Sequence, residues 1–329
     1  MSDRPEFEKR LDELRANAEA RGEITEPGVR AQGGPIPQQP GYYGQAVVRP
    51  PVWTWEIPLY FFVGGLAGMA PSIACAAALA HHPEVARAAM WLSGIGALLS
   101  PVLLVADLGR PLLFINMLRV FKWRSPMSVG AWILTMFSPC AAGGLLALEL
   151  HRRGVFTGTV DSVVGIAAAL LMAGAAFWGL GLATYTGVLI GVTAVPAWNL
   201  HRTVLPIHFG IAGLGSAVGA LELLGHHMRP LTAIGFFVGA VETALWIWLE
   251  IDRHGAADRA LHEGTSGWFL RGSEFLTGPL SLLLRIFAAT PFAGASFLLG
   301  ALLSRFAGMH AGRVSGRDPE AVFAAQSAG

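Results

Sequence analysis

Polar side chains recur at the ends of the long apolar stretches of this 329-residue chain. If successive stretches run in alternating directions across a layer, all of these residues fall at the face where the first stretch begins. We call it the arm face. The group comprises Glu56, Tyr60, Asp107, Arg110, Tyr185, Thr186 and His208. Burying hydroxyl, carboxylate, guanidinium and imidazole groups in apolar surroundings costs free energy, so their convergence indicates a functional site.

This combination of groups suits a quinone ring. Tyrosine, histidine and carboxylate side chains around an apolar slot can hydrogen-bond its two carbonyl oxygens and exchange the protons that accompany its two-electron reduction or oxidation. Structural explanations stay open beside this one. Asp107 and Arg110 could form a salt bridge that fastens a loop. Tyr60 and Tyr185 could belong to an interfacial aromatic belt, and His208 could be a hydrogen-bonded packing residue.

Two further carboxylates lie within later apolar stretches. Glu242 is placed roughly two to three turns below the arm face, at about 1.5 Å per residue. A carboxylate in the middle of a span usually faces a partner or water, which predicts a proton relay. Glu222 lies nearer the opposite face, where it could extend the relay or have a structural role.

The composition indicates how these residues are positioned. The sequence is 53% hydrophobic and 14% charged, whereas a soluble domain has about 25% charged residues. This deficit predicts an integral membrane protein. The net charge of +1 gives no basic excess that would suggest nucleic acid. Cys75 and Cys140 are too few and too far apart to ligate an iron–sulfur cluster.

The pattern of apolar runs predicts an all-α polytopic transmembrane helical bundle of about eight helices in two packed sub-bundles. A helix crosses the hydrocarbon core with about 20 apolar residues. The clear runs are 57–80, 88–106, 125–148, 162–200, 203–221, 230–251 and 286–304. Residues 268–285 are ambiguous, since their charges fit either a packed eighth span or an interfacial helix. The long run 162–200 is expected to kink or unwind near its end.

The chain divides into three parts on this interpretation. Residues 1–52 form a soluble arm whose polar start lacks the apolar core of a signal peptide. Residues 53–308 form the transmembrane domain, and 309–329 a soluble tail. Within the arm, residues 41–55 are either an aromatic belt or a docking segment that includes Tyr42 and Tyr43.

The loop 107–124 carries an unusually high density of charged residues between two apolar stretches. Arg119, Lys122 and Arg124 are expected to face water or an acidic partner, as a docking platform beside the site. The excess of basic residues at the arm face predicts that this face is cytoplasmic. The membrane is expected to be a bacterial inner membrane, whose lipid surrounds the spans.

Several motifs, taken in their order along the sequence, resemble the NrfD/PsrC family, the membrane subunit of polysulfide-reductase-type complexes. They are WTWEIPLYFFVGGLAG at 53–68, DLGRP at 107–111, SPMSVGAW at 125–132, ATYTGVLIGVTAVPAW at 183–198 and SRFAGMHAGRVSGRDP at 304–319. The resemblance extends from about residue 42 to 319.

The resemblance implies a quinone-binding subunit without haem or metal. Such subunits pair with a ferredoxin-type iron–sulfur subunit, often together with a molybdopterin catalytic subunit. The resemblance also implies a quinone pocket formed first by Tyr185, and then by Glu56, Tyr60, Asp107 and Arg110. In several members the partner subunits lie outside the cytoplasm, which departs from the orientation predicted above. The chain alone is expected to be inactive, because it has no redox centre of its own.

Two other functions compete with this one. A dihaem cytochrome b anchor needs paired histidines at two depths, and His208 is the only deep one. A transporter or proton channel without a redox role fits the broken run 162–200 and Glu242. Transporters of this size often contain an internal repeat, and no convincing repeat occurs in the sequence.

Overall fold

The computed structural model describes residue 48, residues 53–108 and residues 114–327. Tyr42, Tyr43 and Arg110 lie outside these residues, and their predicted roles stay predictions. The described part is helical throughout, without a strand. Its helices are α1 Glu56–Leu79, α2 Pro83–Ala106, α3 Phe114–Leu118, α4 Pro126–Arg152, α5 Thr159–Gly191, α6 Pro196–Asn199, α7 Leu205–Leu223, α8 Arg229–Ile251, α9 Arg259–His262, α10 Gly264–Phe275, α11 Ser281–Ile286, α12 Thr290–Arg317 and α13 Pro319–Ser327.

In the described residues, seven helices are long and apolar enough to cross a membrane: α1, α2, α4, α5, α7, α8 and α12. This confirms the polytopic helical class. Several of these helices begin with proline in the first turn, as at Pro83 and Pro126, where the missing N–H has no intrahelical partner to lose. The long run 162–200 breaks as expected, since α5 ends at Gly191 and a turn leads into α6.

The helices form two sub-bundles, as predicted. One consists of α1, α2, α4 and α5, and the other of α7, α8, α10, α11 and α12, with α1 and α5 packing against α7. The backbones approach closely where glycines face each other. A Cβ on Gly68 would lie 2.5 Å from the carbonyl oxygen of Gly179, and one on Gly213 would lie 2.8 Å from that of Gly65. Small residues permit this packing between membrane helices.

The ambiguous segment is a packed crossing of the bundle. Helix α10 continues through a π-helical turn, Leu276–Leu280, directly into α11. Near its start, Arg271 Nε lies 2.6 Å from Glu250 Oε1 at the arm-face end of α8. Near its end, Arg285 pairs with Glu222, which lies in the last turn of α7 at the face opposite the arm face. The segment therefore reaches from one face to the other and forms the eighth crossing.

The last crossing helix is longer than the sequence suggested. Helix α12 continues beyond residue 308 to Arg317, and α13 follows it. A Cβ on Gly312 would lie 2.0 Å from the indole ring of Trp198, so α12 packs directly on α6 at this point. The predicted tail from residue 309 thus begins as part of the bundle.

Candidate functional site

A narrow cavity opens at the arm face between the start of α1, the end of α2, the start of α4 and the end of α5. We call it the tyrosine cavity. Its polar lining residues are Tyr60, Asp107 and Tyr185, and the other lining side chains are apolar or aromatic. Residues that the sequence placed at one face, but on separate helices, thus meet around one apolar space.

The ring of Tyr185 lies directly over the backbone of α4 at Gly130. A Cβ at Gly130 would be 1.9 Å from Tyr185 Cζ and 2.3 Å from its hydroxyl oxygen. Glycine is therefore the only residue at position 130 that leaves room for this ring. Ser125 caps the start of the same helix by accepting a hydrogen bond from the Ser128 N–H at 3.4 Å, which fixes where Gly130 sits.

Tyr60 supplies the deepest hydroxyl of the tyrosine cavity. Its side chain is 1% exposed. Among the residues that the structure describes, the Tyr60 hydroxyl has one polar neighbour, the Tyr185 hydroxyl, and their contact falls short of ordinary hydrogen-bond geometry. A buried hydroxyl with so little hydrogen bonding is costly, so the pair can accept a ligand that supplies a further partner.

Thr54 joins two carboxylates at the mouth of the cavity. Its backbone N–H donates to Asp107 Oδ1 at 3.1 Å, and its hydroxyl contacts the same oxygen at 2.7 Å. The hydroxyl also contacts Glu56 Oε2. Because a hydroxyl has one hydrogen to donate, Thr54 can hydrogen-bond only one of the two carboxylates at a time. Thr54 therefore links Glu56 and Asp107 at the point where the cavity meets the surface.

His208 lies elsewhere, in a second cavity of about 110 Å³ within the other sub-bundle. We call this the histidine cavity. His208 Nδ1 is 3.2 Å from Glu242 Oε2. Glu274 and Arg305 also line the cavity, and the Arg305 guanidinium lies 3.7 Å from the centroid of the Phe209 ring. The sequence grouped His208 with the tyrosines, whereas the structure groups it with Glu242.

Those of the remaining predicted residues that the structure describes lie outside both cavities. Thr186 is buried, and its hydroxyl donates to the Ala183 carbonyl of its own helix at 3.4 Å. Glu222 forms its ion pair with Arg285 near the face opposite the arm. Arg119, Lys122 and Arg124 are exposed between α3 and α4, beside the exposed aromatic rings of Phe121 and Trp123.

Sequence reasoning missed several residues of these sites: Trp53, Thr54, Gly130, Glu274 and Arg305. Trp53 lines the tyrosine cavity and stacks on Trp198 with ring centroids 5.9 Å apart. All of these residues lie inside stretches that the sequence analysis names as motifs or as ambiguous. Arg305 belongs to the motif at 304–319 and follows directly after the apolar run 286–304, so its place inside the bundle could not be predicted from the pattern.

The bundle of membrane-crossing helices defines this chain as a multi-pass membrane protein, with a tyrosine-lined cavity at one face. Residues 45–230 match the family model described as polysulphide reductase, NrfD, which covers more than half of the sequence. The chain therefore belongs to the NrfD family, and the resemblance stated above is confirmed.

One relative is similar to this chain over about the same number of residues as the family model. The C subunit of polysulfide reductase from Wolinella succinogenes is 29% identical over 191 residues, which is 53% of this chain and 58% of that protein. The match thus spans less than two thirds of the relative. The family model covers every helix that lines the tyrosine cavity, whereas Glu242, Glu274 and Arg305 of the histidine cavity lie beyond it.

Proposed function

We propose that this chain is the quinone-binding membrane subunit of a respiratory oxidoreductase complex, and that the tyrosine cavity holds the quinone ring. The single observation that carries this proposal is the meeting of two buried tyrosines, Tyr60 and Tyr185, in one otherwise apolar cavity at the arm face. The residues present fit the ligand, because an apolar wall surrounds few convergent polar groups. When bound, a quinone would supply two-electron, two-proton redox chemistry.

Each polar residue has a task in this proposal. The Tyr60 hydroxyl donates a hydrogen bond to one ring carbonyl oxygen, and Tyr185, held over Gly130, orients the ring from the other helix. Glu56 and Asp107, joined through Thr54, hold and pass a proton between the cavity mouth and water. The apolar wall keeps bulk water from the ring.

The arm face is the proposed docking side. The relative's name makes it one component, the C subunit, of a polysulfide reductase. We propose that the present protein pairs at its arm face with a ferredoxin-type iron–sulfur subunit, and with a molybdopterin catalytic subunit beyond it. The exposed Arg119, Lys122 and Arg124 would face an acidic surface of the partner. Their positive charge also supports a cytoplasmic arm face in a bacterial inner membrane.

Loss of either polar group should slow turnover. In the intact complex with its co-purifying subunits, Glu56→Gln is expected to lower the rate with a short-chain quinone roughly tenfold or more, since a positioned acid or base contributes about 10²–10⁴. Tyr185→Phe is expected to lower it by a similar factor, since it removes the hydroxyl that orients the ring. Thr184→Val is the control, because that hydroxyl donates to the Leu180 carbonyl of its own helix at 2.8 Å. Wild-type rates in both test variants would refute the assignment.

The histidine cavity supports proton transfer as an additional role. Glu242 is 2% exposed and contacts His208 in a cavity that also contains Glu274 and Arg305. In proteoliposomes of the complex, Glu242→Gln is expected to retain quinone turnover but to abolish proton movement across the bilayer. Simultaneous recording of turnover and internal pH tests this. Purely scalar proton exchange by the wild-type complex would exclude the role.

The same cavity favours the alternative function, a transporter or proton channel without a redox role. Liposomes that contain the chain alone separate the two functions. The redox proposal expects no ion or solute flux without the partner subunits and quinone. Ion or solute flux by the isolated protein that exceeds the leak of protein-free liposomes, and that Glu242→Gln abolishes, would favour the alternative.

A further inference from the structure

A cluster of two histidines and an aspartate lies at the arm face, at the rim of the histidine cavity. His201 lies in the turn between α6 and α7, and His254 and Asp258 lie in the connection between α8 and α9. One ligand atom from each residue lies within 4.8 Å of the other two. Neither the quinone site nor the proton relay uses these side chains.

His201 is the unusual member of the cluster. Its side chain is 5% exposed, and neither of its ring nitrogens has a hydrogen-bond partner among the described residues. Buried imidazoles usually have a partner for at least one nitrogen. Its ring instead packs edge-on against Trp248 and His254, with centroids 5.9 and 5.8 Å away.

We propose that His201, His254 and Asp258 bind a divalent transition-metal ion of the zinc type. Two imidazoles and one carboxylate are a ligand set that Zn²⁺ accepts, with a fourth position left for water. Metal–ligand bonds of about 2.0–2.2 Å put neighbouring ligand atoms roughly 3.4 Å apart. The cluster must therefore contract slightly, and the exposed His254 side chain has room to move inward.

The surroundings of Asp258 support this assignment. Its Oδ2 accepts a hydrogen bond from the backbone N–H of His254 at 2.8 Å. His262 Nε2 lies 3.3 Å from the same oxygen. Contacts of this kind orient a ligating carboxylate. A bound ion would therefore fasten the connection 252–258 to the turn between α6 and α7, independently of whether a quinone binds.

Zinc binding by the full-length protein tests the proposal. The protein is purified in detergent through a tag without histidine, stripped with a chelator and titrated with Zn²⁺ against a chromophoric competitor. Wild type is expected to bind one Zn²⁺ per polypeptide. His254→Ala and His201→Ala are expected to weaken this binding at least about 100-fold, beyond the usual cost of losing an outer-sphere partner. His82→Ala is the control, since His82 is exposed at the opposite face.

Two additional measurements make the outcome decisive. Circular dichroism establishes that each variant is folded, and His254→Ala is the safer variant because its side chain is exposed. Co²⁺ should give the visible bands of a tetrahedral site in wild type and lose them in His254→Ala. The proposal fails if wild type binds no stoichiometric Zn²⁺, or if folded His201→Ala binds Zn²⁺ as tightly as wild type, which would place the ion on surface groups alone.

Discussion

Gly130→Ala is expected to reduce quinone-linked turnover at least about 100-fold while the protein still folds. The added Cβ would lie 1.9 Å from Tyr185 Cζ, far inside any contact distance, so the Tyr185 ring must leave its place in the cavity. A displacement of about 1 Å at a reacting group can cost 10²-fold in rate. Alanine itself favours a helix by about 1 kcal/mol over glycine, so α4 is not weakened.

The matched control for this change lies on the same helix. A Cβ on Gly143 would lie 3.5 Å from Leu171 Cδ1, which is ordinary van der Waals contact. Gly143→Ala should therefore retain turnover and short-chain quinone affinity, both measured on the intact complex. If Gly130→Ala turns over like the Gly143→Ala control, Tyr185 does not orient the ring, and the proposed quinone site is wrong.

Arg285→Ala is expected to lower the free energy of unfolding by about 3–5 kcal/mol, because it leaves the Glu222 carboxylate buried without its partner. Both side chains are almost fully buried. The guanidinium occupies space that only a glycine at position 235 allows, since a Cβ there would lie 2.2 Å from Arg285 Cζ. Denaturation in mild detergent, followed by circular dichroism, measures the loss.

Two further variants separate the cost of the unpaired charge from general damage. Arg87→Ala breaks a partly exposed pair, whose Nε–Oε1 distance to Glu149 is 2.5 Å, and should cost clearly less stability than Arg285→Ala because water screens an exposed charge. Replacing both members of the buried pair, Arg285→Met with Glu222→Leu, should restore most of the stability. An Arg285→Ala variant no less stable than Arg87→Ala would contradict the expectation.

The double variant also tests the predicted relay role of Glu222. If the complex that contains it still moves protons during turnover, Glu222 serves the structure through Arg285. If turnover continues while proton movement stops, Glu222 belongs to the relay together with Glu242. Stability and proton transfer are thus measured on the same protein.

The sequence by itself determined the class of protein and the depth of its polar residues. Hydrophobic length is a local property, since a helix must satisfy its own backbone in lipid whatever surrounds it. The seven clear runs therefore correspond to seven crossing helices. Tyr60, Asp107 and Tyr185 were placed at one face because the rise per residue fixes depth along a helix.

Only the tertiary structure decided which of these side chains meet. Successive residues on a helix differ in direction by about 100°, so Tyr185 lines the cavity while the adjacent Thr186 bonds its own helix. Helix packing sets that rotation, and it also pairs His208 with Glu242 in a separate cavity. The eighth crossing was ambiguous for the same reason. The charge of Arg285 is tolerated inside the bundle only because Glu222, distant in sequence, packs against it.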